Sequence, residues 1–211
     1  MEPVSLTTRR LLLRPHDLSD EDAVFAACQD PEIQRWTDLP TPYERRHAAF
    51  YLGELVPRGW RDDTMYHFAV EKRDANRDGA ALVASVNIHR HAETWGIGYW
   101  TVAQHRGEGY ATEAVLALAR WSFADRGVQR LEWRAEAGNR GSWAVAHKAG
   151  FVMEGILRAA QTSDKTLRDT WVGALLPGDL GLPSALPYHP ARDGLLTTSS
   201  ARSCPPDHVT C

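Results

Sequence analysis

The stretch with the most chemical potential is Gln104-His-Arg-Gly107-Glu-Gly109-Tyr-Ala111-Thr-Glu-Ala, where a strand-like segment gives way to a strongly periodic helix. Gly107 and Gly109 lack a Cβ, so the backbone there can adopt unusual dihedrals and approach a ligand closely. The first amides of a helix have no internal partners, and the helix dipole adds partial positive charge to them. A diphosphate can accept those hydrogen bonds. Taken alone, Gly-x-Gly is equally an ordinary strand-to-helix turn. A dinucleotide fingerprint needs a third glycine in a βαβ unit, and a P-loop needs Gly-Lys-Ser/Thr; neither pattern is present. Downstream, Asn139-x-x-Ser142 sits between a strand and a helix. Asn139 there can be a helix cap, and Ser142 a surface helix residue. His89 closes a strand, and its ordinary pKa of ~6.5 suits a base, although a strand histidine is commonly structural.

These groups need elements to hold them. Leu11-Leu-Leu13, ended by Pro15, reads as a strand over Thr8–Arg14. Ser19 or Asp20 can cap a helix over Glu21–Gln29, Asp30-Pro31 restarts the chain toward Trp36, and Thr41-Pro42 looks like a cap and first position for a helix over Tyr43–Leu55. The period then changes to that of an antiparallel meander: Met65–Val70, Ala81–Ile88 and Gly96–Val102, with turns at Lys72–Gly79 and His91–Thr94. Ala111, Ala114, Val115, Leu118, Ala119 and Phe123 recur at helical spacing up to Gly127. Val128–Ala135 reads as a strand, Ser142–Ala149 as a helix, and Phe151–Arg158 and Thr170–Leu176 as closing strands. The resulting order, β-α-α-β-β-β-α-β-α-β-β, is a mixed α/β layout. Residues 1–176 form one expected domain. Residues 177–211 form a Pro/Gly/Ser/Thr-rich tail, expected to be disordered from Ala191 on.

Composition sets the limits. The 211 residues are 24% charged and 43% hydrophobic, the balance of an ordinary globular domain. A net charge of -3 gives no electrostatic reason for a nucleic-acid partner. No signal-peptide pattern opens the chain, and no apolar run is long enough for a membrane span. Cys28, Cys204 and Cys211 lack metal-ligand spacing, so neither a metal site nor a disulfide framework is expected. The expected setting is cytoplasmic, as a monomer or homodimer.

Several of these pieces resemble one family. Gln104-x-x-Gly107-x-Gly109 is similar to the Gln/Arg-x-x-Gly-x-Gly/Ala signature of the GNAT acetyltransferases. The run Arg106-Gly-x-Gly-Tyr-Ala-Thr-Glu-Ala114 resembles the Rim-type branch, the ribosomal-protein N-terminal acetyltransferases. Leu6-Thr-Thr-Arg-Arg-Leu, Gly98-Tyr-Trp100, Asn139-x-x-Ser142 and Lys148-x-Gly-Phe151-x-x-Glu154-Gly155 extend the resemblance across residues 6–176. It implies an α/β GNAT fold, whose mixed central sheet splays between its fourth and fifth strands and is flanked by helices. It also implies acetyl-CoA as acyl donor lying in the splay, with no metal.

On that resemblance, backbone groups near Trp100 and Val102 hold the pantetheine arm. Gln104, Arg106, Gly107, Glu108, Gly109, Tyr110 and Ala111 surround the diphosphate, and Asn139 and Ser142 face the cofactor. The tyrosine that protonates the leaving thiolate in many relatives falls on Ala146, which leaves Ser142 to assist the sulfur. Glutamates used as bases in relatives fall on Gly96 and Gln161, so His89 and Glu154 remain as candidates. The acceptor pocket draws on Gln34–Trp60 and the last hairpin, with Trp36 facing the acceptor. The implied reaction is acetyl transfer to a protein N-terminal α-amine or a small-molecule amine. Another acyl-CoA, an antibiotic amine, or a catalytically silent CoA-binding module are the alternatives.

Overall fold

The computed structural model describes residues 1–73, 81–92, 94–163 and 165–190. Eight strands form one sheet in the order β1-β2-β3-β4-β5-β6-β8-β7. They are β1 Leu6–Thr7, β2 Leu11–Pro15, β3 Met65–Lys72, β4 Leu82–His91, β5 Thr94–Thr101, β6 Leu131–Glu136, β7 Val152–Ser163 and β8 Thr166–Leu175. The helices are α1 Glu21–Ala27, α2 Pro31–Trp36, α3 Arg45–Phe50, α4 Val56–Arg61, α5 Tyr110–Asp125 and α6 Arg140–Lys148. All pairings are antiparallel except β5 with β6.

That one parallel pair shapes the molecule. Partners run only from Trp95↔Leu131 to Ile97↔Trp133, yet β5 continues to Thr101 and β6 to Glu136. The two strands separate after three residues, leaving a V-shaped opening. This is the expected splay between the fourth and fifth predicted strands, shifted by one because the first predicted strand is a hairpin. The amide of Thr8 bonds the carbonyl of Leu11 and its hydroxyl accepts from the Leu11 amide, which folds the chain back between β1 and β2.

The apolar face of the sheet is covered by α5. Ala114, Val115, Leu118 and Ala119, all fully buried, meet Ile88, Val86 and Phe68 in the main core. Burying Val115 and Leu118 contributes roughly 1.5–3 kcal/mol each, which fixes this helix against β3 and β4. Gly127, at φ +63, ends the turn after α5 as the sequence predicts.

The helical region differs from expectation in three places. Asp20 makes no side-chain cap for α1; its carboxylate turns to Arg14 and His16, while Asp17 caps the short turn Leu18–Asp20. Thr41-Pro42 is a cis peptide outside the helix, and Glu44 caps α3 instead. The helix also runs past Pro57, through a wide turn over Tyr51–Leu55 into α4. Proline has no N–H to bond the preceding turn, and a wider turn accommodates that loss. Beyond β8, the turn Pro177–Leu180 follows, and Leu180 and Leu182 pack on the core. The expected disorder from Ala191 and most of the Lys72–Gly79 turn lie outside the described residues.

Candidate active site

The opening between β5 and β6 is a cavity of about 930 Å³. One wall is β5 with the loop into α5; the other is β6 with α6; α2 lies across the mouth. Helix α2 is tied to both sides. Asp30, its N-cap, accepts from Arg106 Nη2 at 2.7 Å, and Arg35 grips Glu136 through two hydrogen bonds of 2.6 and 2.9 Å. The ion pair with Arg106 holds the Asp30 carboxyl below its usual range.

The glycine loop has the expected geometry. Gly107 and Gly109 take φ of +80 and +79, and Gly109 precedes α5 with no side-chain cap. The first helical bond runs from the Glu113 amide to the Gly109 carbonyl, so the amides of Tyr110, Ala111 and Thr112 have no partner within the helix. Arg106, Gly107, Gly109, Tyr110 and Ala111 line the cavity. Gln104 and Glu108 do not; Gln104 lies in the turn Ala103–His105, and the Glu108 carbonyl accepts from Arg10.

Strand alternation decides which backbone groups of β5 face the opening. The Val102 amide bonds the Val83 carbonyl, and the Val102 carbonyl accepts from the His105 amide. Hydrogen-bonded pairs alternate along an antiparallel ladder, so Trp100 likewise directs its backbone toward Ser85 on β4. Tyr99 and Thr101 therefore direct theirs toward the side that β6 has vacated. Within the expected stretch Trp100–Val102, Thr101 is thus the residue whose backbone faces the opening, with Tyr99 beside the stretch doing the same. The Trp100 side chain still lines the cavity; Val102 does not.

On the opposite wall, Asn139 is the N-cap of α6, its Oδ1 accepting from the Ser142 amide at 3.0 Å. It also lines the cavity, so the two readings of this residue are compatible. The Ser142 hydroxyl accepts from Trp133 Nε1 at 2.9 Å and donates to the Tyr99 hydroxyl at 3.1 Å. Tyr99 in turn donates to the Ser142 carbonyl at 2.7 Å, and burial pushes its phenol well above the ordinary range. A protonated Tyr99 thus links the two arms of the V. Sequence reasoning quoted Tyr99 without giving it a role, and it missed Trp133, because the link exists only once β5 and α6 are neighbours.

The candidate bases separate clearly. Glu154 does not line the cavity; Arg130 holds it by bonds of 2.8 and 2.7 Å and keeps its carboxyl low, so it is a surface ion-pair partner. His89 does line the cavity. It faces Gly96 across the β4–β5 ladder, and a Cβ at Gly96 would lie 2.6 Å from its Nε2. The imidazole therefore occupies the space that a side chain at position 96 would need. Burial, with a smaller contribution from His91, lowers the His89 pKa, so the ring is neutral at pH 7. Glu132 and Glu136 also line the cavity, but Arg134 and Arg130 hold the first against the effect of burial, and Arg35 holds the second. Carboxylates fixed that low are poor bases. Trp36 lines the mouth, with its indole N–H on Glu32 and the Arg35 guanidinium 4.1 Å above its ring. Among the described residues no cluster of three metal-ligating side chains occurs.

The open splay, the left-handed glycines and the free helix amides fit a long, diphosphate-bearing thioester carrier. Comparison with known proteins agrees. The acetyltransferase (GNAT) domain family matches residues 10–152. The uncharacterized N-acetyltransferase YjdG of Bacillus subtilis (strain 168) is 37% identical over 157 residues, 71% of this chain and 90% of that protein. YoaA, an uncharacterized N-acetyltransferase of the same organism, is 26% identical over 177 residues, 81% and 96% of the two chains. Mycobacterium smegmatis RimJ in complex with CoA-disulfide shares the fold at a TM-score of 0.71 and 24% identity, over 86% of this chain and 92% of that one. The microcin C7 self immunity acetyltransferase MccE, in complex with acetyl-CoA and AMP, does so at 0.69 and 19%, over 80% and 93%. With the family match spanning both arms of the V, the chain belongs to the GNAT acetyltransferases, N-acetyltransferases that draw their acetyl group from acetyl-CoA.

Proposed function

We propose that this enzyme acetylates a primary α-amine, as Rim-type relatives do with protein N-termini, by direct attack in a ternary complex with His89 as general base. The observation that carries this reading is the His89 imidazole over Gly96 in the cleft wall, at the position where the family resemblance implies a carboxylate. Acetyl-CoA supplies an acyl group already activated as a thioester. His89 Nε2 takes the proton of the attacking amine as the new C–N bond forms. The Ser142 hydroxyl keeps its bond from Trp133 Nε1 and turns its one hydrogen from the Tyr99 oxygen to the departing sulfur. The amides of Tyr110–Thr112, with Gly107, Gly109 and Arg106, hold the diphosphate. Asn139 and the backbone of Tyr99 and Thr101 hold the arm, and Trp36 faces the acceptor.

An imidazole base favours an amine that loses its proton easily. At pH 7 an α-amine of pKa ~8 costs ~1.4 kcal/mol to deprotonate, and a lysine of pKa ~10.4 costs ~4.6 kcal/mol. Release of free CoA should therefore show kcat/KM about 10²-fold higher for a peptide N-terminus than for a matched peptide with a blocked N-terminus and one lysine. Preference for the lysine would refute the acceptor class. CoA binding without turnover across an amine panel would leave a silent CoA-binding module.

Arg106 has two partners to choose between, Asp30 and a phosphate. Arg106→Ala should weaken CoA binding about tenfold, because charge-assisted bonds contribute roughly 1.5–3 kcal/mol. Asp30→Asn keeps the α2 cap and releases the guanidinium, so calorimetry should show equal or tighter binding. Loss of affinity in both would mean that the pair merely braces the loop.

A further inference from the structure

Resting on His89 as the base, we propose that Asn87 is its positioning residue: the carboxamide holds the imidazole in the Nδ1–H tautomer and leaves the Nε2 lone pair facing the cleft. Asn87 and His89 lie two residues apart on β4, so they share a face of the sheet. Their partners across the ladder are Gly98 and Gly96. Both glycines are needed for space. A Cβ on Gly96 would meet His89 Nε2 at 2.6 Å, and one on Gly98 would meet Asn87 Nδ2 at 2.9 Å. The two side chains thus lie over a patch of β5 bare of side chains; His89 and both glycines line the cavity, and Asn87 stands behind the imidazole.

Within that patch, His89 Nδ1 lies 3.0 Å from Asn87 Oδ1. A carboxamide oxygen only accepts, so Nδ1 must carry the hydrogen; in a neutral ring Nε2 is then the acceptor. That is the nitrogen over Gly96. Without this bond the ring would be free to protonate Nε2 and present a donor to the attacking amine, which cannot use one. Asn87 itself need not touch either substrate. Its effect passes through the ring it orients.

The test separates this device from the identity of the base. In the full-length protein labelled with ¹⁵N-histidine and free of CoA, long-range proton–nitrogen NMR at pH 8 should show His89 protonated at Nδ1 and bare at Nε2. Asn87→Leu removes the acceptor and should shift His89 toward Nε2–H. The same variant should lower kcat about 10²-fold with an unchanged KM for acetyl-CoA. Asn87→Asp retains an acceptor oxygen and should restore the Nδ1–H tautomer. Nε2–H in the unaltered protein, or a tautomer indifferent to Asn87→Leu, overturns the proposal, and the first of these needs no variant to fold. A tautomer that shifts as expected with no change in kcat supports the role of Asn87 and removes His89 as the base.

Discussion

Replacing His89 by glutamine is expected to lower kcat for amine acetylation by about 10²- to 10⁴-fold, the usual contribution of a positioned base, with CoA affinity unchanged. Glutamine retains hydrogen-bonding capacity but cannot accept a proton at neutral pH. The pH profile supplies a second signature. Burial lowers the His89 pKa, so the ring is neutral above that depressed value and protonated below it. Besides the amine's own titration near ~8, activity in the unaltered enzyme should therefore show a second acid limb below the ordinary histidine value of ~6.5. His89→Gln should abolish that limb and leave only the titration of the amine itself. Gly96→Ala gives an independent route to the same result. Its methyl group would lie 2.6 Å from Nε2 and must displace the ring, so kcat should fall while CoA still binds. Near-normal turnover in His89→Gln would remove the imidazole from the mechanism.

Gly109→Val should weaken acetyl-CoA binding by about ten- to a hundredfold. The residue sits at φ +79 directly before the first free amides of α5. A β-branched residue in the left-handed region costs of order 1–3 kcal/mol, so the loop resets and the amides are re-aimed. Strain alone has a built-in control. Gly127, at the other end of the same helix, has φ +63 and does not line the cavity. Gly127→Val should lower thermal stability comparably and leave calorimetric CoA affinity untouched. Equal affinity in both variants, with both folded, would show that the loop does not hold the diphosphate.

The helix α5 and the loop before it were legible because their signals are local. Apolar spacing from Ala111 to Phe123 and two glycines at its head need no knowledge of the rest of the chain. The β3–β4–β5 meander was legible for the same reason, through alternation and short turns. Asn87 and His89 opposite Gly98 and Gly96 could have been found by counting back from the His91–Thr94 turn, since a hairpin register follows from its turn. The misplaced features each depended on a side-chain partner outside their own helix or strand. Asp20 stands at the N-cap position of α1 but makes no side-chain cap, because Arg14 and His16 claim its carboxylate. Glu154 leaves the site because Arg130, just before β6, is near enough to pair with it.

The sequence by itself determined the family, the glycine loop at the head of α5 and most of the candidate groups for moving a proton, since these reside in residue types at short spacing. Only the tertiary structure decided which of those groups meet. The parting of β5 from β6 after three paired residues opens the cleft, and it brings His89, Ser142 and Tyr99 to its walls. It also turns Tyr99 and Thr101, rather than Trp100 and Val102, toward the opening. Ladder register and strand divergence are long-range properties, set by how whole faces pack, and no short run of residues encodes them.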